Sequence, residues 1–143
     1  MAVKQISILL ENRVGTLIEI TELLEKYDIN IRAISVSDTT KFGILRLIVD
    51  QPEKCAEALQ KENLTISAAD VLAVALKDRP GGLSTVVRLL AEHGIDIDYA
   101  YAYVSHTTAD ACVVLHAGDV GFAEKILLEN GVKLYSEEEV YGA

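Results

Sequence analysis

Two glycine-containing loops carry the residues of this sequence best suited to binding a small polar molecule. The first loop is Glu11-Asn12-Arg13-Val14-Gly15-Thr16-Leu17 and the second is Lys77-Asp78-Arg79-Pro80-Gly81-Gly82-Leu83. An apolar pattern with helical spacing follows each loop, and a helix N-terminus presents unpaired N–H groups that favour a carboxylate. Glycine at 15 and 81 lets the backbone approach a ligand closely. The pattern predicts a carboxylate-binding loop at both positions.

A ligand with an α-amino group also needs hydrogen-bond acceptors. Side-chain oxygens that can accept are present in the two loops and in the turns that follow the two helices, at Asn12, Asn30, Asp78 and Asp96. Arg13 and Arg79 can hold a carboxylate bidentately. Simpler roles remain open: tight turns alone for the glycines, caps for Asn30 and Asp96, and solvated side chains for the arginines.

Other chemistries have less support. Cys55 and Cys112 stand alone, without a CxxC motif, and are predicted to be small buried hydrophobes. The three histidines, at positions 93, 106 and 116, lack metal-ligand spacing. His93 is expected on the apolar face of a helix. Ser84 has no nearby base to activate it, and the run Glu137–Glu139 is predicted to be a solvated acidic patch. We therefore expect no metal, no cofactor and no catalytic residues.

Composition excludes further partner classes. The 143 residues include 13 basic and 22 acidic ones, and the net charge of −9 argues against nucleic acid and anionic membranes. No apolar run approaches the ~20 residues that span a bilayer, and residues 1–5 do not resemble a signal peptide. Tyr99, Tyr101 and Tyr103 alternate on a predicted second strand, whereas RNA-binding sheets stack bases on the first and third. We expect a cytoplasmic protein whose tyrosines pack at an interface.

The positions of the two loops reflect a sequence repeat. At a shift of 66 residues, Arg13 matches Arg79 and Gly15 matches Gly81, and the apolar positions of the following helices coincide. At a shift of 67, the apolar run beginning at Gly43 matches the run beginning at Asp110. This pattern indicates a duplicated domain, with copies predicted at residues 1–68 and 69–143.

Each copy is predicted to contain a strand, a helix, two strands, a helix and a last strand. The first three predicted strands are Ile6–Leu10, Ile31–Ser37 and Gly43–Val49 in the first copy, and Val71–Leu76, Ile97–Val104 and Ala111–Leu115 in the second. This order predicts an α+β fold of two ferredoxin-like βαββαβ sandwiches in tandem, with antiparallel sheets and helices on one face. Almost no linker separates the copies, so the chain either runs straight on or exchanges strands.

Helix ends also have local signals. Asp28 and Gly94 suit the left-handed conformation that ends a helix. Pro52 suits the first turn of the second helix, and Asp119 is a natural N-cap in the second copy.

The loops and turns together resemble the ACT domain, a small-molecule regulatory module of amino-acid metabolism. The second loop is similar to the family pattern D-R-P-G-x-L, and the first departs from it at Val14; residues 28–31 and 94–97 are similar to its G-I-N-I turn. Family positions matching Asn12 and Asn30 contact bound amino acids, which implies the same role for Asp78 and Asp96. The predicted ligand-binding set is completed by Arg13, Val14, Gly15, Thr16, Leu17, Ile31, Arg79, Pro80, Gly81, Gly82, Leu83 and Ile97.

The resemblance implies a stand-alone tandem ACT protein that binds a free amino acid at its loops and domain interfaces and regulates an unidentified enzyme. Because the third strands are apolar on both faces, a homodimer formed through sheets or strand edges is also expected. Two alternatives remain: a small enzyme on the same sandwich, and a purely structural interaction module. An enzyme should gather titratable groups in one copy, whereas here the polar positions repeat in both.

Overall fold

The computed structural model describes residues 2–11, 13–38, 42–103 and 111–142. The chain forms two compact units. The first is Lys4–Ala69, and the second consists of Asp70–Ala143 together with the N-terminal residues Met1–Val3. Its elements in chain order are β1 (Val3–Glu11), α1 (Thr16–Lys26), β2 (Ile31–Asp38), β3 (Phe42–Val49), α2 (Pro52–Lys61), β4 (Ile66–Leu76), α3 (Gly82–Glu92), β5 (Ile97–Tyr103), β6 (Ala111–Ala117), α4 (Val120–Glu129), β7 (Leu134–Tyr135) and α5 (Glu137–Tyr141).

In the first unit, β3 lies between β2 and β1 and pairs antiparallel with both. Leu47 of β3 is opposite Ile6 of β1 and Ile34 of β2. The Leu9 N–H donates to the Thr65 carbonyl at 3.0 Å, which brings the chain before β4 beside β1. Helices α1 and α2 cover one face, and the side chains buried there include Ile6, Ile8, Leu10, Ile20, Leu24, Leu45, Leu47 and Leu59.

The second unit repeats this arrangement. Strand β6 pairs antiparallel with β5 and β4, and β7 pairs with the other side of β4, where Ala73 is opposite Tyr135. Helices α3 and α4 cover a core that includes Leu72, Val74, Val86, Leu90, Val113, Leu115, Ile126 and Leu127. The predicted α+β fold of two ferredoxin-like units is confirmed.

The predicted helix ends are also confirmed. Asp28 after α1 and Gly94 after α3 have φ of 58° and 70°, and α2 begins at Pro52. Asp119 caps α4, because its side chain accepts the Phe122 N–H at 3.0 Å. The chain passes from the first unit to the second within one strand, β4, which extends over 11 residues.

One expectation was wrong: His93 is exposed and caps the end of α3 instead of lying on its apolar face. The run Glu137–Glu139 is exposed, as predicted for a solvated acidic patch, and it also forms the first turn of α5. Ser136 and Glu139 form a capping box there, with bonds of 3.2 and 3.1 Å. The backbone N–H of Ser136 lowers the pKa of Glu139, and Val140 of this helix is buried.

Both cysteines are buried, as predicted. Burial raises the pKa of Cys55 to about 11, with a smaller contribution from the Asp50 carboxylate. Burial alone raises the pKa of Cys112 to about 12. Helices of the described residues reach at most 11 residues, short of the ~20 that cross a bilayer.

Candidate ligand-binding loops

The two loops share one backbone conformation. Gly15 and Gly81 precede α1 and α3 with φ of 91° and 88°. The Arg13 N–H donates to the Glu11 carbonyl at 2.9 Å, and the Arg79 N–H donates to the Lys77 carbonyl at 2.8 Å. The repeat therefore extends from sequence to the hydrogen bonds of the loops.

The left-handed conformation itself explains the two glycines. Residues with a Cβ rarely adopt such a positive φ. A Cβ built at Gly15 or Gly81 would meet no atom within 4 Å, so the space beside each backbone is open. Glycine is required here whether or not a ligand binds, and the close approach of a ligand at these positions remains a prediction.

The loops differ at the first residue of each helix. Thr16 is buried, and its hydroxyl oxygen lies 3.1 Å from the carbonyl oxygens of both Glu11 and Arg13, which share its one proton. Its equivalent is Gly82, where a Cβ would collide with the Lys77 carbonyl oxygen. The second loop is therefore tighter than the first.

The loops also differ in charge. The guanidinium of Arg13 contacts the carboxylates of Glu19 at 3.1 Å and Glu11 at 3.4 Å. These contacts raise the pKa of Arg13, the hydrogen bond with Glu19 having the largest effect. At a shift of 66 residues, Lys77 and Thr85 replace the two glutamates, and the first turn of α3 contains no acidic residue.

The turns after α1 and α3 lie away from the loops. Asn30 is exposed, its N–H donates to the Asp50 carboxylate at 2.9 Å, and its carbonyl accepts the Asp50 N–H at 3.1 Å. The 11 residues of α1, about 16 Å of helix, separate this turn from the first loop. Asp96, likewise exposed, follows the C-terminal end of α3. Within one unit, the structure does not bring the loop residues and turn residues together.

The remaining predicted residues divide between these places. Val14, Leu17, Asp78, Arg79, Pro80 and Leu83 are exposed beside the start of α1 or α3. Ile31 and Ile97 begin β2 and β5 and are partly buried. Asn12, His106 and Val104 lie outside the described residues.

Two cavities of the first unit adjoin the predicted residues. One of about 290 Å³ lies beside the first loop and is lined in part by Glu11, Arg13 and Thr16. Another of about 550 Å³ surrounds Asn30 and Ile31. The first cavity is lined by predicted loop residues and the second by predicted turn residues, so neither is lined by both parts of the predicted ligand-binding set.

Sequence reasoning missed a histidine–carboxylate pair in the second unit. Nδ1 of His116 lies 2.8 Å from Oδ2 of Asp98, and the ring of Tyr99 stacks on the imidazole at 4.9 Å. The two partners are 18 residues apart in the chain and meet only through the register of β5 and β6, which no local signal encodes. In the described chain, no group of three histidine, cysteine or acidic side chains is arranged to hold a metal ion.

Comparisons with known proteins place this geometry in a family. A family model described as an ACT domain pair matches residues 1–142. Protein BT0572 from Bacteroides thetaiotaomicron is 34% identical, with a TM-score of 0.92 over 100% of this chain and 98% of that one. No curated protein matches significantly.

More distant structures share the fold. The regulatory subunit of aspartate kinase from Thermus flavus has a TM-score of 0.63 and 15% identity, with 87% of this chain and 88% of that one covered. The corresponding subunit from Thermus thermophilus, in its ligand-free form, has a TM-score of 0.61 and 15% identity over 90% and 92%. Because the family model spans nearly the whole chain, which is built from two matching units, this protein belongs to the family of ACT domain pairs.

Proposed function

We propose that this ACT domain pair is a cytoplasmic regulatory sensor that binds a free amino acid at its two loops and is not itself an enzyme. The observation that carries the proposal is the duplicated loop, with glycine at φ of 91° and 88° immediately before α1 and α3. Each glycine leaves open space beside the N–H groups that begin its helix, and such a position is suited to an α-carboxylate. The repetition of these positions in both units suits binding better than catalysis.

The ligand also requires acceptors for its ammonium group, and Asn30 and Asp96 are exposed and suited to this role. Since each lies beyond the far end of its helix, a ligand that touches both a loop and a turn needs a second module. We therefore expect sites completed at a domain interface. Binding there would favour one arrangement of modules, and this difference is what a regulated enzyme would sense. By analogy, the regulatory subunits of aspartate kinase share this fold.

Calorimetric titration with the twenty amino acids, one at a time, tests the proposal. We expect at least one to bind, and we expect Asp78→Ala or Asp96→Ala to weaken it about ten-fold, because hydrogen bonds to charged groups contribute about 1.5–3 kcal/mol. Glu57→Gln, on the exposed side of α2, is the control and should leave the affinity unchanged. Absence of binding by all twenty would contradict the proposal.

We also propose that the chain forms a homodimer through the edge of β2. Among the described strands, β2 pairs with β3 alone, and it exposes 43% of Ile34 and 55% of Val36. A two-fold axis would pair β2 antiparallel with its own copy and bring each Ile34 against a Val36 of the partner.

Sedimentation velocity checks this prediction through Ile34→Lys. We expect the parent to sediment as a dimer and the variant as a monomer. The two-fold axis would bring two lysines into the interface, where they would repel each other and lose their hydration. Leu128→Lys on α4 is the control, since Leu128 is similarly exposed at 45% and lies in the second unit. A monomeric parent, or a dimeric Ile34→Lys variant, would rule out this interface.

A further inference from the structure

The sheet of the second unit has an outer face, opposite the face that α3 and α4 cover. Successive side chains of a strand point to opposite faces. Cys112 precedes Val113 of the core and therefore points to the outer face, and Tyr135, which follows Leu134 of the core, does the same. Tyr103 joins them, because it is opposite Cys112 in the register. Tyr103, Cys112 and Tyr135 are only 6%, 4% and 3% exposed, so this part of the outer face is covered.

Helix α5 contributes to this cover where β5 ends. The hydroxyl of Tyr103 donates to the Val140 carbonyl at 3.4 Å, in a bond that is itself buried. The Val140 side chain is buried as well, and in the described chain it is not among the core residues beneath α3 and α4. The helix therefore packs on the outer face at Tyr103 and takes no part in the core on the other side of the sheet.

The first unit serves as an internal comparison, because its sheet has the same hydrogen-bond pattern. In that pattern, Ser37 corresponds to Tyr103 and Ser67 corresponds to Tyr135. Both serines are exposed, and the chain continues from Ser67 along β4 instead of turning into a helix. Aromatic side chains thus replace solvated serines on the outer face of the unit that carries α5.

The attachment of α5 is nevertheless slight. The helix has 5 residues, far fewer than the ~12–15 at which an isolated helix becomes even marginally stable. Its first turn, Glu137–Glu139, is exposed, and the contact of Glu139 with Lys133 at 3.7 Å joins two exposed side chains, which contributes little. Besides the capping box that begins at Ser136, the buried side chain of Val140 is the main anchor of this helix.

We propose that α5 is a strap that detaches from the outer face while the rest of the second unit stays folded, and that its detachment uncovers Tyr103 and Cys112. Because Val140 lies outside the core beneath α3 and α4, detachment leaves that core closed. While the strap is in place, burial raises the pKa of Cys112 to about 12, and such a thiol is inert because the thiolate is the reactive form. The position of α5 therefore controls access to an aromatic surface and to this thiol, whether or not the loops bind an amino acid.

Alkylation by iodoacetamide, followed by peptide mass spectrometry, measures this opening on the full chain, with the buried Cys55 of the first unit as reference. In the parent, Cys112 should react at least about ten-fold faster than Cys55 and respond weakly to low urea, because a local opening exposes little surface. Val140→Asp should accelerate Cys112 a further ten-fold or so, since a charge replaces a buried side chain. Ser136→Ala should accelerate it about three-fold through loss of the cap. Val87→Asp is the matched control on α3, where Val87 is 39% exposed, and it should leave both rates unchanged.

Hydrogen exchange in the same variants reports on the rest of the second unit. In Val140→Asp, β4 and β6 should exchange as in the parent, within about two-fold, while α5 loses its protection. Unchanged alkylation of Cys112 in both Val140→Asp and Ser136→Ala would overturn the proposal, because α5 would then not cover the thiol. Equal acceleration of exchange in α5, β4 and β6 would also overturn it, because the helix would then unfold only with its unit. If Val140→Asp does not fold, the milder Ser136→Ala decides by the same two measurements.

Discussion

Leu24→Ala and Leu90→Ala are expected to destabilise the first and second unit, respectively, each by about 3 kcal/mol. The two leucines occupy equivalent positions of α1 and α3 and are 1% and 0% exposed. Each packs in the core of its own unit. Truncation removes buried methyl groups and leaves a cavity, at a typical cost of about 2.7–5 kcal/mol for leucine.

Hydrogen exchange measured by mass spectrometry locates each effect. If the copies at residues 1–68 and 69–143 are separate domains, Leu24→Ala should accelerate exchange mainly in the first and Leu90→Ala mainly in the second. Leu17→Ala and Leu83→Ala are matched controls on the same two helices, where the leucines are largely exposed and the expected cost is below about 1 kcal/mol. Equal acceleration throughout the chain in both variants would indicate one cooperative domain.

Features governed by local chemistry could be predicted from the sequence. The repeat predicted the two units, since the same apolar spacing must form the same core twice. Asp28 and Gly94 marked helix ends because few residues tolerate a positive φ. The predicted strands also lie within observed strands wherever the structure describes them. At the helix ends, the deciding interaction lies within a few residues of its signal.

Features that depend on contacts between elements were missed. The bond between Asp98 and His116 requires the register of β5 and β6. The contact of Arg13 with Glu19 requires the first loop to fold back on α1, and it changes the charge available to a ligand.

Helix α5 was missed for another reason, because its signal was local and was overlooked. Ser136 is followed three residues later by Glu139, the spacing of a capping box. The three consecutive glutamates predicted a solvated surface, and they are exposed, but that interpretation did not include the helix whose first turn they form. Val140, a residue of this helix, is buried, so a short acidic helix can still bury an apolar side chain.

Gly82→Ala is expected to destabilise the second unit by about 2 kcal/mol. The added Cβ would collide with the Lys77 carbonyl oxygen, which is backbone and cannot move aside as a flexible side chain does. Relief requires the second loop to open, at the cost of about 1–3 kcal/mol typical of overpacking. The hydrogen bond from the Gly82 N–H to the Arg79 carbonyl, now 3.0 Å, should lengthen as it opens.

Urea denaturation followed by circular dichroism measures this loss. Gly121→Ala is the control, because it lies within α4 and its Cβ would come no closer than 3.7 Å to the Asp119 carboxylate. That substitution should be neutral or stabilising by up to about 1 kcal/mol, since alanine favours a helix. Thr16 occupies the equivalent position with room for its side chain, so the collision is a property of the tighter second loop. An unchanged urea midpoint for Gly82→Ala would mean that the second loop opens without loss of stability. The close approach of Gly82 to the Lys77 carbonyl would then not determine the position of the N-terminus of α3.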